Sequence, residues 1–205
     1  EAARRPLEHR AAGRRGGRPA GAGLTPAQGE AIAIVGAALD AGDPTPLLLD
    51  GVTGGGKTAI YVEAIAATLE AGRRALVLVP EIALALPLVD RLRADLEAEV
   101  ALVHSGLGEG ERADEWRRIR SGAADAVVGT RLGVVAPLPE VGLVIVDEEH
   151  DGAYKSDRTP RLQARDAAVE LGRLAGAAVV LGSATPSVEC RSEEHTSELQ
   201  SRGLI

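Results

Sequence analysis

The chain has 205 residues, 45% of them hydrophobic, with one Trp, two Tyr, no Phe, no Met and a net charge of −7. That length suits one well-packed α/β domain with ragged ends, and the scarcity of aromatics calls for an aliphatic core, as in parallel strands buried on both faces. No apolar run approaches the ~20 residues that span a bilayer, no secretory leader is visible, and a single Cys190 excludes a disulfide framework or a multi-cysteine zinc site, so a cytoplasmic protein without a membrane partner is expected.

Residues 1–23 are Arg, Gly, Ala and Pro without an apolar period, and read as a disordered arm or linker. Within 1–20, six Arg stand against Glu1 and Glu8, a net of +4, so the remainder carries −11. Bulk charge therefore gives no support for nucleic-acid binding, and does not exclude it. The lack of Met reads as a chain taken from within a longer one.

An ordered domain is expected over 24–190. Thr25 as N-cap with Pro26 at the first helical position predicts a helix to about Asp40. Short aliphatic runs at 47–50, 75–80, 99–104, 125–130, 142–147 and 177–182 predict strands. Between them, helices are predicted over 57–71, 83–97, 109–121 and 163–175. This alternation predicts a mostly parallel sheet with helices on both faces, in which ligands bind at the carboxyl ends of the strands.

The motifs fall at those ends. After the first strand, Gly51-Val52-Thr53-Gly54-Gly55-Gly56-Lys57-Thr58 matches the phosphate-binding loop and opens a helix. Glycines such as Gly51, Gly54, Gly55 and Gly56 let backbone N–H groups face a phosphate, helped by the helix N-terminus. Lys57 is then expected on the β- and γ-phosphates of ATP, and Thr58 on Mg2+. After the fifth strand, Asp147-Glu148-Glu149-His150 supplies carboxylates: Asp147 for Mg2+ through its water shell, Glu148 as general base. After the sixth, Gly182-Ser183-Ala184-Thr185-Pro186 offers small hydroxyls, Ser183 and Thr185, that couple to the phosphate or to the acidic motif. Residues 191–205 are polar and aperiodic, and read as the translation of a sequencing adapter.

This ordered set resembles the superfamily 2 helicases, with a domain of the RecA-like P-loop NTPase kind. From about Leu24 to Glu189 the chain resembles the PriA family of primosomal replication-restart DNA helicases. The resemblance rests on Leu24-Thr25-Pro26-Ala27-Gln28, Val79-Pro80-Glu81-Ile82-Ala83-Leu84, His104-Ser105-Gly106-Leu107, Gly110-Glu111-Arg112, Glu115-Trp116, Gly129-Thr130-Arg131, the run Asp147–Asp151 with Tyr154-Lys155, and Gly182–Ser187. It implies ATP-driven 3′-to-5′ unwinding of forked or single-stranded DNA, with primosome and replisome proteins as partners. It implies that Gln28 reads adenine and that Glu81, Thr130, Arg131, Tyr154 and Lys155 touch DNA. Zinc belongs to that family, and no zinc site is expected here. The resemblance covers one motor domain, so the chain alone is expected to hydrolyse ATP poorly.

Plainer readings of single residues stand beside these. Gln28 can be an ordinary helix residue, Glu81 and Arg131 ion-pair partners, and Tyr154-Lys155 a surface loop. His104 is expected to pack or cap, and Trp116 to fill core with Ile119. The chain departs from the family pattern at Ala85-Leu86-Pro87, at Leu132-Gly133 and at Leu162-Gln163, where an aromatic and a histidine are usual. The alternative functions are another superfamily 2 DNA translocase and a non-hydrolysing primosome scaffold.

Overall fold

The computed structural model describes residues 23–51, 56–156 and 161–184. The arm and the adapter-like tail expected at the two ends lie outside the described residues, apart from Gly23.

Helix α1 (Pro26–Ala41) starts as its sequence dictates. The Thr25 hydroxyl accepts from the Gln28 N–H at 3.3 Å, and the Gln28 side chain accepts from the Thr25 N–H at 2.9 Å. This reciprocal box satisfies two otherwise orphaned donors. Gly42, at φ 61°, closes the helix in the left-handed conformation that glycine adopts most readily.

The chain then alternates β1 (Pro46–Asp50), α2 (Lys57–Glu70), β2 (Arg74–Leu78), α3 (Ile82–Leu96), β3 (Val100–Val103), α4 (Glu109–Arg120), β4 (Ala126–Gly129), β5 (Val141–Val146), α5 (Ala164–Ala175) and β6 (Ala178–Ser183). Every strand predicted from the sequence is present, and all pair in parallel in the order β1-β6-β5-β2-β4-β3. No helix among the described residues is long and apolar enough to cross a membrane.

Strand alternation divides the core into two layers. Ala75, Val77, Val100, Val128, Ile145 and Val180 face α1, α2 and α3. Their neighbours Leu76, Leu78, Val127, Val144 and Leu181 face α4 and α5. Ile119 joins the second layer as expected, but Trp116 does not: it is half-buried outside both clusters. It sits one turn before Ile119, on a highly charged helix with little apolar surface to cover.

At the amino edge of the sheet two adjacent arginines fasten the two helices of the second layer. Arg73 donates to the carbonyls of Val141, Ala175 and Gly176, at the end of α5. Arg74 donates to Gly122 and Ala124, after α4, and pairs with Glu140 at 2.6 Å. Arg73 thus satisfies a carbonyl that the end of α5 leaves open, and Arg74 satisfies carbonyls of the loop after α4.

Candidate functional site

The sheet order decides the site. Strand β6 lies between β1 and β5, so the ends of these three strands converge at the carboxyl edge. The Gly51 N–H donates to Ser183 O at 3.0 Å, and the Glu149 N–H to Gly182 O at 2.9 Å. The sequence motifs after β1, β5 and β6 therefore face one another. Gly54, Gly55 and Thr185 lie outside the described residues.

Lys57 opens α2 behind Gly56, which has φ 86°. A side chain at Gly56 would also collide with Gln28: an added Cβ would lie 2.2 Å from Gln28 Nε2. Gln28 Nε2 donates to Gly56 O at 3.4 Å, which ties the first helix to the phosphate loop. Lys57 Nζ donates to Gly51 O at 2.9 Å and lies 3.2 Å from Glu148 Oε1. Thr58 is exposed on the first turn of α2. A helix N-terminus, an ammonium and an exposed hydroxyl thus share one spot, the combination that receives phosphate oxygens.

Across from them stands the acidic motif. Glu148 is held in place from several sides. Its Oε1 faces Lys57, its Oε2 accepts from the Ala184 N–H at 3.3 Å, and its backbone has φ 45°. That left-handed conformation disfavours a non-glycine residue by roughly 1–2 kcal/mol, and such strain concentrates at functional sites. Ser183 Oγ lies 2.8 Å from His150 Nδ1, so the Ser183 side chain bonds the acidic motif.

Asp147 is gripped by the two tyrosines of the chain. The Tyr61 hydroxyl donates to its Oδ1 at 2.8 Å and the Tyr154 hydroxyl to its backbone O at 2.5 Å. Burial pushes the Asp147 carboxyl above the ordinary range, against the pull of the Tyr61 hydrogen bond. Burial, reinforced by the Asp147 charge, also raises both phenols, which therefore stay protonated as donors.

Tyr154 departs from its expected place on a DNA-facing surface. Its ring is 1% exposed and packs in the second core layer, because its hydroxyl reaches inward to Asp147. The remaining residues expected on DNA lie nearer solvent at the same sheet edge. Glu81 is exposed at the start of α3, and Thr130 and Arg131 follow β4. Arg131 donates to Lys155 O at 3.2 Å, and exposed Lys155 bridges in antiparallel fashion to Gln163. His104 caps its own turn by accepting from the Gly106 N–H at 3.1 Å.

Two supports escaped the sequence reading. Tyr61 stands four residues after Lys57, a spacing that shares a helix face, so its place beside the loop was open to inference. Arg165 pairs with Glu149 at 3.2 Å, with side chains 10% and 0% exposed. Only the fold brings α5 under the acidic motif, and no spacing signals it.

The donor set can be weighed against Mg2+. Such an ion is commonly held by one or two carboxylates together with substrate phosphates. Among the described residues no group of three or more His, Cys, Asp or Glu forms a metal cage. Asp147, oriented by Tyr61, and Thr58 on the facing helix fit the shared-phosphate mode.

The DEAD/DEAH box helicase family model matches residues 25–192. The chain is 41% identical over 180 residues to the replication restart protein PriA of Bacillus subtilis, covering 87% of this chain and 22% of that protein. It is 45% identical over 167 residues to PriA of Synechocystis sp., covering 81% and 20%. The chain thus spans about a fifth of the length of these relatives. A solved structure of RecG bound to a three-way DNA junction matches with a TM-score of 0.59 at 24% identity, covering 83% of this chain and 22% of that one; the likeness is one of fold.

Proposed function

The chain belongs to the DEAD/DEAH box helicase family, and from that premise we propose that it is the ATP-binding motor domain of a PriA-like 3′-to-5′ DNA helicase of replication restart. The observation that carries the proposal is the meeting of Lys57, at a helix N-terminus, with Glu148, the residue after Asp147, across the strand β6 that separates their strands.

In this reading Lys57 and the phosphate-loop N–H groups of Gly51, Gly54, Gly55 and Gly56 bind the ATP phosphates. Gln28 turns from its own cap to the adenine. Thr58 and Asp147 hold Mg2+, which when bound draws charge from the phosphate oxygens. Glu148 accepts a proton from the attacking water. Ser183, through His150, and Thr185 relate the acidic motif to the phosphates. Glu81, Thr130, Arg131 and Lys155 meet the DNA backbone, where loop donors and cations grip without reading sequence. Forked or single-stranded DNA is the proposed track, primosome and replisome proteins the proposed partners, and the cytoplasm the proposed compartment.

The test is the DNA-stimulated ATPase of the full-length protein beside its Lys57→Ala variant. A loss of about 10²-fold or more is expected, in line with removal of one charge-stabilising donor. Equal rates in the two proteins would leave a non-hydrolysing scaffold as the better reading.

A further inference from the structure

Tyr61 follows Thr58 by three residues and Lys57 by four on α2, so it neighbours both on the helix surface. Its side chain is 2% exposed, and its hydroxyl ends on Asp147 Oδ1 at 2.8 Å. The neighbouring strand is shaped to admit it. A Cβ at Gly182 on β6 would lie 1.8 Å from the Tyr61 hydroxyl and 3.2 Å from Asp147 Oδ1. Gly182 has no positive φ that would require glycine; space for the phenol is what its missing side chain provides.

The hydrogen bond has a geometric effect. The terminal torsion of an aspartate is broad, so a carboxylate without a directional partner samples many orientations. A phenol anchored to α2 and approaching from one side selects among them. It also ties Asp147 to the helix that carries Thr58, so the two groups directed at the metal are held on a common frame.

We infer that Tyr61 is a positioning residue, whose hydroxyl sets the Asp147 carboxylate and its separation from Thr58 for a Mg2+–nucleotide complex. The inference rests on the ATP-Mg2+ reading of the site and adds a residue that the phosphate-loop and acidic motifs do not contain. Partners that orient a ligating group change metal affinity by about 10- to 100-fold when removed.

The experiment titrates Mg2+ against binding of a fluorescent ATP analogue to the full-length protein, with a parallel series in EDTA. The variants are Tyr61→Phe, which keeps the ring, and Gly182→Ala, which displaces the phenol. Tyr61→Phe is expected to keep its affinity in EDTA while needing about tenfold more Mg2+ for half-maximal binding. Gly182→Ala is expected to shift in the same direction. A Tyr61→Phe curve that follows wild type overturns the inference and leaves the ATP-Mg2+ reading standing. Equal weakening with and without Mg2+ also overturns it, since that is what a packing role alone produces. If wild-type binding is itself indifferent to Mg2+, the ATP-Mg2+ reading fails and the inference falls with it.

Discussion

Lys57 Nζ and Glu148 Oε1 lie 3.2 Å apart although the residues are 91 positions apart in sequence. The pair reaches over β6, from the helix after β1 to the loop after β5. Under the proposed function, the pair also sets two tasks in competition. An ammonium that takes a phosphate gives up this carboxylate, and a carboxylate that takes a proton from water must be released by the ammonium.

Glu148→Gln should therefore separate binding from hydrolysis. Removing a general base lowers kcat by about 10²–10⁴-fold. Nucleotide affinity should hold or tighten, because the competing charge on Lys57 is gone. Steady-state ATPase and fluorescent-nucleotide titration of the full-length protein check both halves.

Arg165→Ala should destabilise the fold by about 3–5 kcal/mol, since it takes the paired guanidinium away from the fully buried Glu149 carboxylate. Replacing both partners, Arg165→Met with Glu149→Leu, should recover most of that loss. Urea denaturation of the single and double variants provides the comparison. A single variant as stable as wild type would mean the pair is dispensable.

Arg73→Ala removes donors from three carbonyls at the edge remote from the site. A loss of roughly 2–4 kcal/mol is expected, given about 1–3 kcal/mol for stranding a buried acceptor. The KM for ATP should stay within about twofold, as additivity holds for distant sites. Thermal unfolding and ATPase kinetics read the two effects separately.

Gly129→Ala meets backbone rather than a movable side chain: its Cβ would lie 2.6 Å from Val103 O. Forcing β3 and β4 apart should cost about 1–3 kcal/mol, as overpacking does. Gly29→Ala has open space on α1 and should stabilise the protein by about 0.5–1 kcal/mol. Denaturant midpoints of the two variants should move in opposite directions.

Much of this architecture was legible in the sequence because its signals are local. Thr25-Pro26 with Gln28 fixes a helix start. Aliphatic runs four to six residues long between helical stretches fix the strands, and the loop before Lys57 fixes the phosphate end. The strand order was not legible, since it depends on which strands pair across long separations. Without it, the junction of Ser183 with Gly51 and of Arg165 with Glu149 has no signal. Tyr154 was misplaced for a related reason: a tyrosine beside a lysine in a polar loop reads as surface, until the backbone carbonyl of Asp147 appears beneath it. Trp116 was misplaced in the opposite sense, because apolar character alone does not tell which face of α4 meets the sheet.

The position of β6 bears on how the protein is made. Strand β1, near the start of the domain, has a single neighbour in the sheet, and that neighbour is the last described strand. On the ribosome, β2 to β5 can pair as they emerge, while β1 waits for Ala178–Ser183. A nascent chain halted before Ala178 would already carry Lys57 and Asp147, yet would lack the strand that joins β1 to β5. Until that strand is released, β1 and the flank of β5 are open to one another and to other chains. Competence to bind nucleotide should then appear late and abruptly during synthesis, once the closing strand slides between its two partners.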